Sequence, residues 1–356
     1  MERNNMIDYV KGFAILFVVA IHTKAVQGAH LGIIDGDDAN FIINTLARFA
    51  VPFFFAASGY LFVQKLNTIQ RDNKNAEQVQ YAKKYIRKLI KLYLAWFIFY
   101  FLFELAVNFI ETEKNSAALW NMFTNYIDHF SLWSFIYLGD GWPVYHLWFL
   151  PALIWAILIL FLFIQMRLIR VLFVVSIGLH LIGLFGQSYS FLFDIPFNTR
   201  DGIFFALFYV TLGGMMAKYP VFASFARKMP TRSAVIWLGI LSCVQILEGF
   251  ITLQVYDGKA ENYFISTIPL VIVLFLLVIK HNQMGKGSVM AKIGAKAVGI
   301  YVSHVFIMAS IHILMHRMGL TMVEDWLLWK VIITPIVLLL AFIFYNLLQN
   351  GKKLAS

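Results

Sequence analysis

The sequence predicts an all-α, polytopic integral membrane helical bundle of about ten transmembrane helices, with N-terminus and C-terminus both on the cytoplasmic side. Three observations predict it. Of the 356 residues, 60% are hydrophobic and 13% charged, with a mean hydropathy of +0.74, and a soluble chain of this length needs far more charged surface. Apolar runs of membrane-crossing length recur from one end to the other. Most of the 29 Lys and Arg residues fall in alternate connections between those runs, as the positive-inside bias requires.

Taken in order, the runs place spans near 7–26, 43–63, 89–110, 146–165, 168–187, 202–217, 234–253, 263–279, 297–315 and 326–348. With the N-terminus inside, the inner connections carry Lys65 to Lys91, Arg167 with Arg170, Lys218 to Arg232, Lys280 to Lys296, and Lys352 with Lys353. The exceptions are Lys24, Arg48, Lys114, Arg200, Lys259, Arg317 and Lys330. Asp35, Asp37, Asp38, Glu111, Glu113, Asp257, Glu261, Glu324 and Asp325 fall on outer loops, which adds support without setting topology. The net charge of +10 therefore orients the protein in its membrane and does not point to nucleic acid. The first run is interrupted by ionisable groups, which makes it a retained span and not a cleaved signal peptide. A single cysteine, Cys243, excludes an internal disulfide and a Cys-based metal site.

Between the spans, the outer segment 111–145 carries Trp120, Phe123, Tyr126, Phe130, Trp133, Phe135 and Tyr137 at spacings that suit an interfacial amphipathic helix. The inner segment 64–88 is polar and suits a cytoplasmic helix leading into the third span. Neither is long enough for a folded extramembrane domain, so residues 1–356 form a single transmembrane domain.

The first span holds Asp8, Lys11 and His22 amid Phe13, Ile15, Leu16, Phe17, Val18, Val19 and Ile21. Ionisable groups inside a membrane helix cost a few kcal/mol or more and usually mark a functional path. Eleven residues at about 100° each return to nearly the same helix face, roughly 16 Å further along the axis. Lys11 and His22 therefore line one stripe as two stations, too far apart to bond each other, while Asp8 and Lys11 pair locally.

From these residues the chain resembles the membrane-bound acyltransferase-3 family. Asp8 to His22 resembles the family's opening helix, in which an Arg, here replaced by Lys11, precedes a His by ten intervening residues. Val51-Pro-Phe-Phe-Phe-Ala-Ala-Ser-Gly-Tyr60, Tyr85-Ile-Arg-Lys-Leu-Ile-Lys-Leu-Tyr93, His146-Leu-Trp-Phe-Leu-Pro151 and Gly299-Ile-Tyr-Val-Ser-His304 follow in the family's order. Arg48-Phe-Ala-Val-Pro-Phe-Phe-Phe55 and Arg200-Asp-Gly-Ile-Phe-Phe205 are similar to the membrane domain of vancomycin-resistance-type serine racemases. The resemblance implies a bacterial multi-pass plasma-membrane O-acyltransferase. It would move an acetyl or other acyl group from cytoplasmic acetyl-CoA to a hydroxyl of a cell-envelope glycan or lipid-linked sugar. Its partners are then acetyl-CoA, that acceptor and membrane lipids.

Under this resemblance His22 is the catalytic candidate, because a neutral imidazole can take the acceptor hydroxyl proton or carry the acyl group. Lys11 would meet the phosphate-bearing donor at the inner mouth. Lys88 and Lys91 occupy the family's Arg-x-x-Arg position, as donor ligands or as ordinary inner-side anchors. Ser58 belongs to a pocket or, with Gly59, to a close helix contact. Arg48 holds an anionic acceptor or snorkels. His146 and Trp148 open the fourth span, where a Trp serves as a belt residue in any case. His304 lies deep in the ninth span. Arg200 with Asp201 is a helix-end pair or an acceptor contact, Glu248 is equally ambiguous, and His180 is structural. No metal is expected, since the histidines lack a carboxylate or Cys partner at ligand spacing. Two rival readings stand beside the enzyme: a transporter of serine or another small polar solute, and a non-catalytic partner in glycan assembly.

Overall fold

In a computed structural model the described residues are 4–32, 34–71, 75–139, 141, 145–259 and 263–354. Fourteen α-helices follow in order: α1 (Asn5–His22), α2 (Gly36–Ala47), α3 (Ala50–Arg71), α4 (Asn75–Glu111), α5 (Ser116–Asp128), α6 (Phe149–Gln165), α7 (Ile169–Phe185), α8 (Leu207–Lys218), α9 (Pro220–Lys228), α10 (Thr231–Gly249), α11 (Thr267–Lys280), α12 (Val289–Gly294), α13 (Ala297–Arg317) and α14 (Leu327–Leu354). A two-residue antiparallel ladder, His30–Leu31 with Ile34–Asp35, closes the connection between α1 and α2. Glu261 of the outer acidic set, and Arg3 at the N-terminus, lie outside the described residues.

Among the described residues, seven helices are long and apolar enough to cross a membrane: Asn5–His22, Gly36–Ile69, Asn75–Glu111, Tyr145–Gln165, Thr231–Val255, Ala297–Arg317 and Leu327–Lys352. A pair broken between Lys218 and Pro220 raises the number to eight, and Ile169–Phe185 and Thr267–Lys280 are shorter apolar helices. Each of the ten apolar runs is largely helical, though the run 43–63 crosses from α2 into α3 and three runs fall short as single straight spans. The physical reason is that hydropathy records where a run is apolar, not where its helix bends or stops. On α4, α7 and α14 the side chains of Ile98, Leu102, Val174 and Leu339 are exposed, and so apolar an exterior requires lipid as its solvent. The protein is a multi-pass membrane protein.

Within 111–145 the chain forms the helix α5, capped by Asn115 accepting from the Ala118 N–H, and the aromatics Phe130, Trp133, Phe135 and Tyr137 lie beyond its end. Trp120 and Phe123 are exposed, while Tyr126 is buried and donates to the Phe101 carbonyl. The polar inner segment is divided between α3, which runs on to Arg71, and α4, which starts at Asn75.

The chain divides into two compact units, Met1–Phe54 with Pro220–Ser356, and Phe55–Tyr219. In the first, α1 packs against α12, α2, α13 and α14. A Cβ on Gly12 would lie 2.2 Å from the Met290 carbonyl oxygen, and one on Gly294 would lie 1.7 Å from that of Asp8. Only residues without a side chain allow α1 and α12 to cross this closely. The N-terminal end of α1 is tied to the segment after α11 by Asn5 N–H donating to the Asn282 carbonyl at 2.8 Å. Buried Gln245 joins α10 to its neighbours, donating to the Thr45 carbonyl at 2.5 Å and accepting from Thr267 Oγ1 at 2.8 Å. Glu248, ambiguous in sequence, accepts from the Ile265 and Ser266 N–H groups at 2.6 and 2.8 Å. It holds the approach to α11, where unpaired N–H groups need acceptors. Cys243 on α10 is exposed.

In the second unit a comparable crossing joins α3 and α8. A Cβ on Gly59 would lie 2.0 Å from the Val210 carbonyl oxygen and one on Gly213 1.9 Å from that of Ala56. The Ser58-Gly59 motif therefore provides a close helix contact, one of its two sequence readings.

Candidate active site

Within the first unit, α1 is unbroken from Asn5 to His22, so Lys11 and His22 share a face about 16 Å apart. Both are half-buried. Asp8 stands in the first turn, three residues before Lys11. That end of α1 meets the segment bearing Lys280, Lys286, Lys292 and Lys296. At the other end, the imidazole rings of His22 and His304 come together with centroids 4.9 Å apart and planes inclined by 52°. Two residues separated by 282 positions in sequence thus form one side-chain pair.

His304 is fully buried, and its Nδ1 lies 2.6 Å from the Tyr301 carbonyl oxygen. A carbonyl only accepts, so Nδ1 carries the hydrogen, and the neutral ring keeps its lone pair on Nε2. His304, Met308, Ile311 and His312 follow at helical spacing along one face of α13. They lead into a cavity of about 570 Å³. Its lining also includes His22, Thr23 and Lys24 at the end of α1, Glu324 before α14, and Trp329, Lys330 and Ile333 in the first turns of α14. His312 Nδ1 meets Glu324 Oε1 at 3.0 Å. Thr23 Oγ1 lies 2.7 Å from Thr334 Oγ1, which ties the end of α1 to α14. Immediately after His22 the chain turns through Lys24 and Val26 with φ of 49° and 60°. For a β-branched residue this left-handed conformation is strained and marks an over-determined site.

Arg48, also in this unit, directs its guanidinium to Asn44 Oδ1 one helical turn earlier. It is not among the residues lining the His22 cavity.

The other candidates belong to the second unit. Lys88 and Lys91 are exposed on α4. Ser58 hydrogen-bonds Tyr85. His146 is buried in a 3₁₀ turn, Tyr145–Trp148, edge-on to Tyr100 at 4.6 Å. The Arg200 guanidinium lies over the Trp148 ring at 5.1 Å. Buried Asp201 accepts from the Ile203 and Phe204 N–H groups and from the Tyr137 hydroxyl at 2.7 Å, capping the π-helical turn Gly202–Ala206. His180, buried, meets the Phe204 carbonyl through Nδ1 at 3.1 Å and stacks on Phe208, in keeping with a structural role.

Burial pushes the Asp201 carboxyl up to about 6, against the opposing hydrogen bonds from Tyr137 and the backbone. The folded state therefore holds a proton that the unfolded chain releases near pH 4. The stability this contributes is complete below pH 4 and lost as pH rises through 6. Between those limits wild type should lose on the order of 2–3 kcal/mol more than Asp201→Asn, which keeps the cap without titrating. Paired denaturation curves at the two pH values measure the difference; equal slopes for both proteins would refute it.

Sequence reasoning missed Lys24, His312, Glu324, Trp329 and Lys330 as a group. One signal was present: Lys24 and Lys330 are exceptions to the inner-side charge bias. Among the described residues, no group of three or more His, Cys, Asp or Glu stands at metal-binding geometry.

The acyltransferase-3 family model, described as an acyltransferase domain, matches residues 4–346. The chain belongs to the acyltransferase-3 family. Among curated relatives it is similar to an amino-acid racemase of Enterococcus faecalis, 27% identical over 329 residues, which cover 87% of this chain and 42% of that protein. A second amino-acid racemase of the same organism is 27% identical over 295 residues, 78% of this chain and 36% of the relative. A serine/alanine racemase of Enterococcus gallinarum is 25% identical over 335 residues, 89% of this chain and 43% of the relative. The chain thus spans less than half the length of these relatives. No solved structure matches this acyltransferase-3 family member significantly.

Proposed function

We propose that this family member is an O-acyltransferase of a bacterial plasma membrane, carrying an acetyl group from cytoplasmic acetyl-CoA to a hydroxyl of an envelope glycan or lipid-linked sugar. The observation that carries the reading is the His22–His304 pair at the head of a cavity, on the same helix face as Lys11. The N-terminal end of α1, beside the basic segment from Lys280 to Lys296, faces the cytoplasm and meets the donor phosphates. Lys11 is the first cation on the route, and Lys88 and Lys91 are further donor ligands.

His22 takes the proton of the acceptor hydroxyl as its oxygen attacks the thioester carbonyl. The carbon–sulfur bond then breaks, and the proton passes from the imidazole to the departing thiolate. Met308, Ile311, Trp329 and Ile333 give the cavity apolar lining, against which the carbon skeleton of an acceptor packs in preference to water. His304, with its hydrogen fixed on Nδ1, presents a fixed tautomer beside His22 and orients it.

The names of the relatives favour one second reading, transport of an amino acid such as serine through the same cavity. Donor dependence separates the two. Purified protein in lipid nanodiscs should bind acetyl-CoA and hydrolyse it slowly when no acceptor is present. Failure of both, together with serine uptake in proteoliposomes, would replace the enzyme with the transporter.

A further inference from the structure

The cavity beside His22 contains two cations that neither topology nor pairing explains. Lys24 and Lys330 both line it, and neither side chain has an ion-pair or hydrogen-bond partner among the described residues. They stand at the opposite end of α1 from the segment holding Lys280, Lys286, Lys292 and Lys296. As orienting charges they would oppose the rest of the unit. The Lys330 ammonium reaches across to the turn that follows α1, where a Cβ on Gly28 would lie 3.5 Å from its Nζ. Lys24 is on that same turn, in a left-handed conformation at φ 49°. Among the described lining residues the one acid, Glu324, is engaged by His312. Asp37 accepts the Gly28 N–H at 3.1 Å but does not line the cavity. Met308, Ile311 and Ile333 add apolar side chains to the lining, Ile333 one helical turn from Lys330 on α14. Two unneutralised ammonium groups, Lys24 exposed and Lys330 half-buried, give the cavity a positive potential.

We propose that the acceptor entering this cavity carries an acidic group, a carboxylate or a phosphate, and that Lys24 and Lys330 bind it so that its hydroxyl is presented to His22. This rests on the acyl-transfer reading for the role of His22, but the anion site itself does not. As point charges with rotatable donors, lysines accept either acid and do not demand the planar geometry an Arg fork prefers. Specificity then comes from charge: a neutral hydroxyl compound leaves both ammonium groups unmatched.

The test compares methyl β-D-glucuronide and α-D-glucose 1-phosphate with methyl β-D-glucoside as ligands of the full-length protein in phosphatidylcholine nanodiscs, by equilibrium dialysis and ligand-induced thermal stabilisation. Wild type should bind the anionic probes about tenfold or more tightly than the neutral one. The preference should vanish in Lys24→Gln/Lys330→Gln and persist in Lys24→Arg/Lys330→Arg, which keeps the charge and controls for folding. Equal binding of charged and neutral probes by wild type, or no binding of either, overturns the proposal. So does a preference that survives in the double Gln variant. Discs containing phosphatidylglycerol identify the source of the anion. Displacement of the glucuronide there in wild type, but not in the double Gln variant, assigns the acidic group to a lipid-linked acceptor, and unchanged binding assigns it to a soluble one. Acetyl-CoA hydrolysis is read separately, so its absence would remove the acyl-transfer reading while leaving an anion site in place.

Discussion

On the acyl-transfer reading, His22→Ala is expected to lower acetyl-CoA hydrolysis in well-folded protein by roughly a hundredfold or more. General-base assistance by a positioned imidazole contributes about 10²–10⁴ in rate, and the methyl group of Ala can neither accept a proton nor carry an acyl group. The substitution is mild for the fold, because His22 is half-buried and is the last residue of α1. Its contact with His304 is a ring contact, and the neighbouring tie from Thr23 to Thr334 stays in place. Thermal unfolding of the variant should therefore stay near wild type while turnover collapses. A variant that keeps its turnover would remove His22 from the chemistry and leave the pair with His304 as packing.

Gly12→Leu is expected to cost about 2–4 kcal/mol, the range of severe overpacking at a site that cannot relax. The obstacle is backbone. A Cβ at this position would stand 2.2 Å from the Met290 carbonyl oxygen, and across the same interface Gly294 faces the Asp8 carbonyl. No rotamer change relieves a clash with a main-chain oxygen, so α1 and α12 must separate along the crossing. Lys11 is the neighbouring residue, so the separation also displaces the first cation of the proposed donor route. Gly239→Leu on α10 is the control, since nothing lies within 4 Å of its Cβ position; there the substitution should gain up to about 1 kcal/mol through helix propensity. Denaturant unfolding of both variants in one detergent measures the contrast, and equal midpoints would refute the packing account.

The helical, membrane-crossing character of the apolar runs and the regular helix joining Lys11 to His22 were legible because each depends on residues close in sequence. Apolar runs identify helices, and eleven residues of regular α-helix fix the relation of Lys11 to His22 without tertiary information. The wall of the cavity was not legible. His312 comes from the far half of α13, Glu324 from a 3₁₀ turn, Lys330 from the start of α14, and Lys24 from a strained turn. Nothing local sets the positions of four such segments relative to one another. Glu248 was ambiguous for a similar reason, because its partners are N–H groups 17 and 18 residues later and no side-chain pattern marks a backbone donor. The broken and short helices escaped the span estimate because hydropathy carries no record of a bend.

The lone Cys243, exposed on α10, has a practical consequence. That exposure is to lipid, near the middle of the span Thr231–Val255, where the thiol lies beyond the reach of a polar maleimide, so one cysteine introduced on an exposed polar connection carries one dye per chain of this sequence. Counting photobleaching steps from single nanodiscs then gives the number of protomers per particle directly, and the same labelled molecule remains available for turnover measurements.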